Sequence, residues 1–99
     1  MIEHLVFFKY NEDLDPKIKA QIVNGFKRLM GVIPGLIEVN IGENVTEETH
    51  LDQGINIGLR MLFQTHDHLR AYLTHPDHVQ LADIVKTSVD NVIVCDFYR

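Results

Sequence analysis

An α+β fold of the ferredoxin-like kind, with elements in the order β-α-β-β-α-β, is predicted for this chain of 99 residues by three observations. Four short runs are rich in β-branched and aromatic residues, and two longer segments between them carry apolar residues at helical spacing. The first and last strand runs are also apolar on both parities. Right-handed crossovers put the helical segments on one face of a four-stranded antiparallel sheet. A sheet with a bare second face should alternate apolar and polar residues, so the two-sided runs demand cover on that face as well. Nothing left in the chain provides it. A second copy packed sheet against sheet, as an isologous two-fold dimer, meets the demand.

The elements follow in order. "IEHLVFFKY" (2–10) reads as a strand that ends at the turn-forming "NEDLD". Asp15 is a good N-cap and Pro16 a good first helical residue; Ile18, Ile22, Phe26, Leu29, Met30 and Ile33 then recur at helical spacing up to Pro34-Gly35. "LIEVNIGEN" (36–44) alternates Ile37, Val39 and Ile41 with Glu38, Asn40 and Gly42, as a half-buried strand does. "VTEETHLDQG" (45–54) is polar and is expected to be a mobile loop, after which "INIGLRMLF" (55–63) alternates again. A helix starts from Thr65, is interrupted at Pro76, which restricts His75 to extended conformations, and resumes to about residue 87. "DNVIVCDFY" (90–98) is the last strand. Val6, Phe8, Ile57, Leu59, Met61 and Val94 are expected on the helix-free face, where a second copy would bury them.

Composition narrows the function. Nine basic against fourteen acidic residues give a net charge of −5, and the lysines are scattered, so nucleic acid and anionic membrane surfaces are not expected partners. The single cysteine, Cys95, excludes an internal disulfide and fits a reducing compartment. The sequence begins directly on a strand-like run, and no apolar run approaches the ~20 residues of a membrane span, so a single cytoplasmic domain over 1–99 is expected.

"YLTHPDHVQLAD" (72–83) gathers a tyrosine, two histidines and two aspartates around one proline. Tyr72, His75 and His78 are three residues apart, and a continuous helix would align them on one face. Pro76 turns the histidines relative to Tyr72. On a functional reading, neutral His78 takes an acidic proton α to a carbonyl and Tyr72 donates a hydrogen bond to the enolate oxygen. On a packing reading, His75 caps the helix after the proline, Tyr72 packs on the rim and His78 donates to a backbone carbonyl. His4 shares the parity of Val6 and Phe8 and is either a third polar group in a pocket or a satisfied core histidine.

His66 and His68, with His75, His78, Asp67, Asp77 and Asp83, form the one pattern to test for metal. His66 and His68 are two apart on a helix and point away from each other, so no metal site is expected. Thr65 and Asp67 are better explained as helix-start residues, and Cys95 as a small apolar strand residue. Arg60 lies on the parity opposite Leu59 and Met61 in a central strand, so a carboxylate partner is expected, with Asp96 the first candidate.

"HLVFFKY" at the start, "IPGLIEVNIGENV" in the middle, "Y..HP.H" at 72–78 and "DFY" at the end span nearly the whole chain. With these motifs in this order the chain resembles the stress-responsive A/B barrel (Dabb) domain family, within the dimeric α/β barrel superfamily. The resemblance implies the same two-sheet dimeric barrel. In the plant polyketide cyclases of that family, which close a linear polyketide by aldol condensation without metal or cofactor, the catalytic Tyr/His pair falls in the motif matched by Tyr72 and His78. Phe26 and Ile57 stand where those cyclases carry a tyrosine and a histidine facing the pocket, which implies a more apolar cavity here.

The leading expectation is a homodimer binding a small apolar or aromatic molecule, without cofactor, in a cavity lined by His4, Phe8, Phe26, Val39, Leu59, Tyr72, His75 and His78. One rival is a cofactor-independent enzyme of the polyketide-cyclase or monooxygenase type, using His78 as base and Tyr72 as donor. The other is a stress-linked structural oligomer without ligand. An open cavity ending at His78 separates the first two from the third.

Overall fold

The computed structural model describes residues 1–99. The chain runs β1 (Ile2–Lys9), α1 (Pro16–Lys27), β2 (Leu36–Glu43), β3 (Ile57–Phe63), α2 (His66–Leu73), α3 (Pro76–Ser88) and β4 (Asn91–Tyr98). The strands form one antiparallel sheet in the order β2-β3-β1-β4, the split βαβ arrangement, with the helices on one face.

Local chemistry sets the ends of the helices. Asp15 accepts the backbone N–H of Lys17 and Pro16 opens α1. Thr65 accepts from the N–H of His68 at the start of α2. Pro76 forces the break between α2 and α3: His75 sits at φ −66° and ψ 135°, and its Nδ1 accepts the Asp77 N–H at 3.1 Å. The expected interruption is therefore a change of helix, with His75 as the cap.

Two boundaries differ from expectation, the end of α1 and the start of β3, which lies at Ile57 and not at residue 55. α1 ends at Lys27, not before Pro34, and the chain continues in tight turns through Gly31 (φ 84°). Leu29 and Ile33 remain in the core, because backbone bonds from Leu29 to Phe26 and from Val32 and Ile33 to Leu29 keep a helix-like rotation. The 45–54 segment is polar, yet it is folded back on itself. Asn44 bonds to Ile55 O through its side chain and to Asn56 O through its backbone. Asn56 Oδ1 accepts from Tyr10 N, and its own N–H reaches Phe8 O. This loop leaves Val45 and Leu51 exposed.

The assignment of sheet faces is corrected by the packing. Val6, Phe8, Ile57, Leu59 and Met61 face the helices, where they form the core with Ile22, Phe26, Leu69 and Tyr72. Phe8 meets Phe26 with ring centroids 5.8 Å apart, and Phe63 meets Tyr72 at 5.1 Å. Register carries Val94 to the same side, through its pairing with Val6. The helix-free face therefore carries the other parity: Leu5, Phe7, Leu62, Ile93, Cys95 and Phe97. Strands apolar on both parities give no periodic signal for which side the helices take.

α3 packs on α1 and α2 and leaves β4 bare. All eight residues of this edge strand are exposed, including Ile93, Val94 and Phe97. On the helix-free face, Arg60 hydrogen-bonds Glu38 at 2.5 Å and Glu3 at 3.0 Å. The expected Asp96 partner is excluded by parity: Arg60 shares its cross-strand row with Leu5 and Cys95, and Asp96 points to the other face.

Candidate functional site

The gap between α3 and the β1–β4 edge opens into a cavity of about 250 Å³. Six of the eight residues singled out from the sequence line it: His4, Phe8, Phe26, Leu59, Tyr72 and His78. Val39 packs against the core from β2 but lies outside the cavity wall, because β2 is the far edge of the sheet. His75 is outside as well, its ring used as the cap of α3. Val6, Ala82, Val85, Lys86, Val92 and Val94 complete the lining. The wall is apolar apart from a polar end and one lysine.

The polar end is assembled by three elements. β1 supplies His4, which is 5 % exposed and whose Nδ1 lies 2.5 Å from Asp96 Oδ1 of β4. A carboxylate accepts, so the His4 Nδ1 carries the proton of this bond. α2 supplies Tyr72, whose ring is 6.0 Å from His4 between centroids. α3 supplies His78, whose ring is 4.2 Å from that of Tyr72 and whose Nδ1–H donates to Leu73 O at 3.0 Å. The carbonyl of Leu73 is free to accept because α2 stops there. The bond to Leu73 O puts the His78 proton on Nδ1 and leaves its Nε2 as the basic atom.

Asp96 is the site residue that sequence reasoning assigned elsewhere. Its signal was present: antiparallel pairing of the first and last strands puts His4 and Asp96 opposite each other on one face. The remaining histidines disperse: His66 meets the Tyr98 hydroxyl at 2.9 Å, and His68 meets the Thr65 hydroxyl at 2.7 Å. A second, wider concavity of about 950 Å³ lies on the helix-free face under the 44–55 loop, lined by Leu5, Phe7, Val45, Leu51 and Ile93 with Arg60 at its side. Its titratable lining groups are Glu43, Asp52 and Arg60, with no histidine or tyrosine among them.

Burial sets the protonation states. Loss of water pushes the His78 imidazole below its ordinary value; the Leu73 carbonyl partly opposes this, and His4 and His75 add to it. Burial pushes the Tyr72 phenol well above its ordinary range, so it stays protonated. At neutral pH the site presents a neutral imidazole beside a phenol O–H in an apolar wall. That combination accepts a proton at Nε2 and donates a hydrogen bond from the phenol.

The shift of His78 is measurable. Between its folded value and the ordinary 6.5, the unfolded chain binds a proton at His78 that the folded chain does not, so this group lowers stability as pH falls through that window. Proton NMR titration of the imidazole should give a midpoint below 6.5 in the wild type. A midpoint at or above that value would show the ring to be solvated.

The chain matches the family described as the Stress responsive A/B Barrel Domain (Dabb) over residues 2–99. It is 21% identical to olivetolic acid cyclase of Cannabis sativa over 96 residues, covering 97% of this chain and 94% of that protein. Among solved structures, At3g17210 from Arabidopsis thaliana superimposes with a TM-score of 0.88 at 24% identity, covering 100% of this chain and 95% of that one. A protein from Bacteroides fragilis, described as dimeric, ferredoxin-like and of unknown function, superimposes with a TM-score of 0.74 at 26% identity, covering 97% of this chain and 93% of that one. The match spans the sheet, all three helices and every residue of the polar end, and so this chain belongs to the stress-responsive A/B barrel family.

Proposed function

We propose that this chain is a small-molecule binding protein that takes an apolar or aromatic ligand into the helix-side cavity, the ligand's neutral oxygen meeting His4, Tyr72 and His78. The observation that carries the reading is the contrast within one cavity: three polar rings converge at one end of a wall that is otherwise apolar save for Lys86. Pockets of this kind bind through apolar area and orient through a few polar groups. About 250 Å³ suits a single aromatic ring with a short substituent, since a ~150 Å³ apolar cavity already accepts benzene. An open cavity with this wall weighs against a structural oligomer without ligand. A cytoplasmic location remains part of the reading.

A second reading is favoured by the His4–Asp96 pair: proton transfer next to a carbonyl, with no group needed beyond side chains. Asp96 holds the His4 ring in place, Leu73 O fixes the tautomer of His78, and desolvation favours the neutral form of His78. One imidazole Nε2 takes the α-proton and the Tyr72 phenol hydrogen-bonds the enolate oxygen. A cyclase among the relatives supports chemistry of this class. Phe26 lines the cavity and favours a smaller, less oxygenated substrate, while Ile57 lies in the core and not on that wall.

Assembly as a homodimer belongs to the same proposal. Leu5, Phe7, Leu62, Ile93, Cys95 and Phe97 form the helix-free face, with Ile93 43% and Phe97 48% exposed. Leu62 is already buried within the single chain, whereas exposed side chains such as Ile93 and Phe97 gain up to roughly 1.5–3 kcal/mol each on full burial, so a second sheet laid on this face is favoured. The Bacteroides fragilis relative is described as dimeric, which supports the reading.

Three outcomes test these statements. NMR titration with 4-ethylphenol should show saturable shifts centred on the cavity, and His78→Ala should weaken binding at least about fivefold, the order of one lost hydrogen bond, while the fold is kept. Affinity equal to wild type would remove His78 from the site. For proton transfer, the protein should catalyse deuterium exchange α to the carbonyl of phenylacetone, with losses of roughly 10²–10⁴-fold for His78→Ala and a smaller loss for Asp96→Asn. No exchange above the solvent rate leaves binding as the whole function. In sedimentation, the wild type should run as a dimer at micromolar concentration and Phe7→Asp as monomer or aggregate; a stable wild-type species of 11.4 kDa would sink the dimer.

A further inference from the structure

Lys86 is the one cation on the cavity wall, and it joins no ion pair. Lys86 is exposed at the mouth of the cavity, and what sets it apart from the other lysines without an ion pair is its place on the cavity wall. No carboxylate lines the cavity. The acid nearest the polar end, Asp96, is already bonded to His4.

The position of Lys86 is set by helix periodicity. His78, Ala82 and Lys86 follow one another at four-residue steps on α3, so they form a single stripe along the cavity. At 1.5 Å per residue the two ends of the stripe are about 12 Å apart along the helix axis. Between them stands only the methyl group of Ala82, which leaves room for a ring. α3 runs from the His4–Asp96 end toward the Phe8–Val92 end, where the chain turns into β4. The cavity therefore has a carboxylate behind one end and an unpaired ammonium at the other.

We propose that the ligand is an amphiphilic carboxylate, a molecule with a neutral oxygen at the His78 end, an apolar or aromatic body over Ala82, and its carboxylate at Lys86. The proposal deepens the ligand-binding reading above and rests on it. Asp96 sets the orientation, because an anion at the His4 end would face it while an anion at the far end meets the lysine. Lys86 also lies in the last turn of α3, where a cation favours the helix dipole. That role bears on stability alone and is indifferent to the charge of a ligand.

Ligand selectivity separates the two roles. NMR titrations would compare 3-(4-hydroxyphenyl)propanoate with its uncharged amide, on wild type, Lys86→Gln and Lys86→Arg, with thermal midpoints measured in parallel. The acid should bind wild type about fivefold more tightly than the amide, the upper range for a rim-exposed ion pair. Lys86→Gln should abolish that preference, Lys86→Arg should keep it, and about 0.5 M salt should erode it. Equal affinity of acid and amide for wild type, or a preference that survives Lys86→Gln, overturns the assignment to Lys86 while binding of both compounds still supports the cavity. Loss of thermal stability in Lys86→Gln with the preference intact assigns the lysine to the helix end and overturns the proposal. Failure of both compounds to bind wild type at millimolar concentration overturns the carboxylate proposal and the cavity reading together.

Discussion

Antiparallel pairing of β1 with β4 is the constraint on which the rest of this structure depends. It joins the first strand to the last, and its register sets His4 opposite Asp96, Val6 opposite Val94 and Phe8 opposite Val92. Those three rows build the sheet side of the cavity from its polar end to its apolar end. A slip of one residue would send Asp96 to the helix-free face and leave His4 buried without an acceptor, a cost of a few kcal/mol for a polar group sealed from water. The same pairing leaves β4 at an edge with neither face covered by the chain's own helices. One register thus creates both the site and the surface that asks for a second subunit.

Pro76 is the second determinant, and it acts by breaking a pattern. Without it, residues 72, 75 and 78 would share one helical face and all three side chains would compete for one wall. The break gives His75 an extended backbone and a capping bond to Asp77 N, which removes it from the cavity. It also exposes the carbonyl of Leu73, and that carbonyl fixes the His78 tautomer. The functional and packing readings of the cluster therefore share the same bonds. His78 donates to a backbone carbonyl, as packing requires, and this same bond leaves Nε2 basic. His75 acts only as a cap.

The element order, the helix break at Pro76 and six of the eight cavity residues were legible from periodicity, capping chemistry and the family motifs. The early end of α1 was not, because Leu29 and Ile33 keep helical spacing in a stretch of tight turns. The face assignment failed for a more general reason: β1 and β4 are apolar on both parities, so alternation carries no information about where the helices lie. The expectation of Asp96 as the partner of Arg60 failed separately, since Asp96 has the parity of Val94 and Arg60 the opposite one, so the two share no face. Glu3 and Glu38 hold that role from the two flanking strands, on the same face as Arg60. His75 and Val39 were included on spacing and parity, and tertiary placement took both away from the cavity.

Burying Tyr72 and His4 and half-burying His78 beside aromatic residues is ordinarily a cost, since each polar atom gives up water. Here the cost and the chemistry have one cause. Desolvation drives His78 toward neutral imidazole and Tyr72 toward the protonated phenol, and these are the forms a proton acceptor and a hydrogen-bond donor need. A more open site would leave both groups closer to their solution behaviour and weaken each interaction through a higher dielectric. His4 meets the same burial by a different route, with a carboxylate as its partner. Phe63, whose ring lies 6.3 Å from that of His4 and 5.1 Å from that of Tyr72, is therefore part of the site's electrostatics as well as its packing, because it excludes water that would otherwise set the protonation of the polar end.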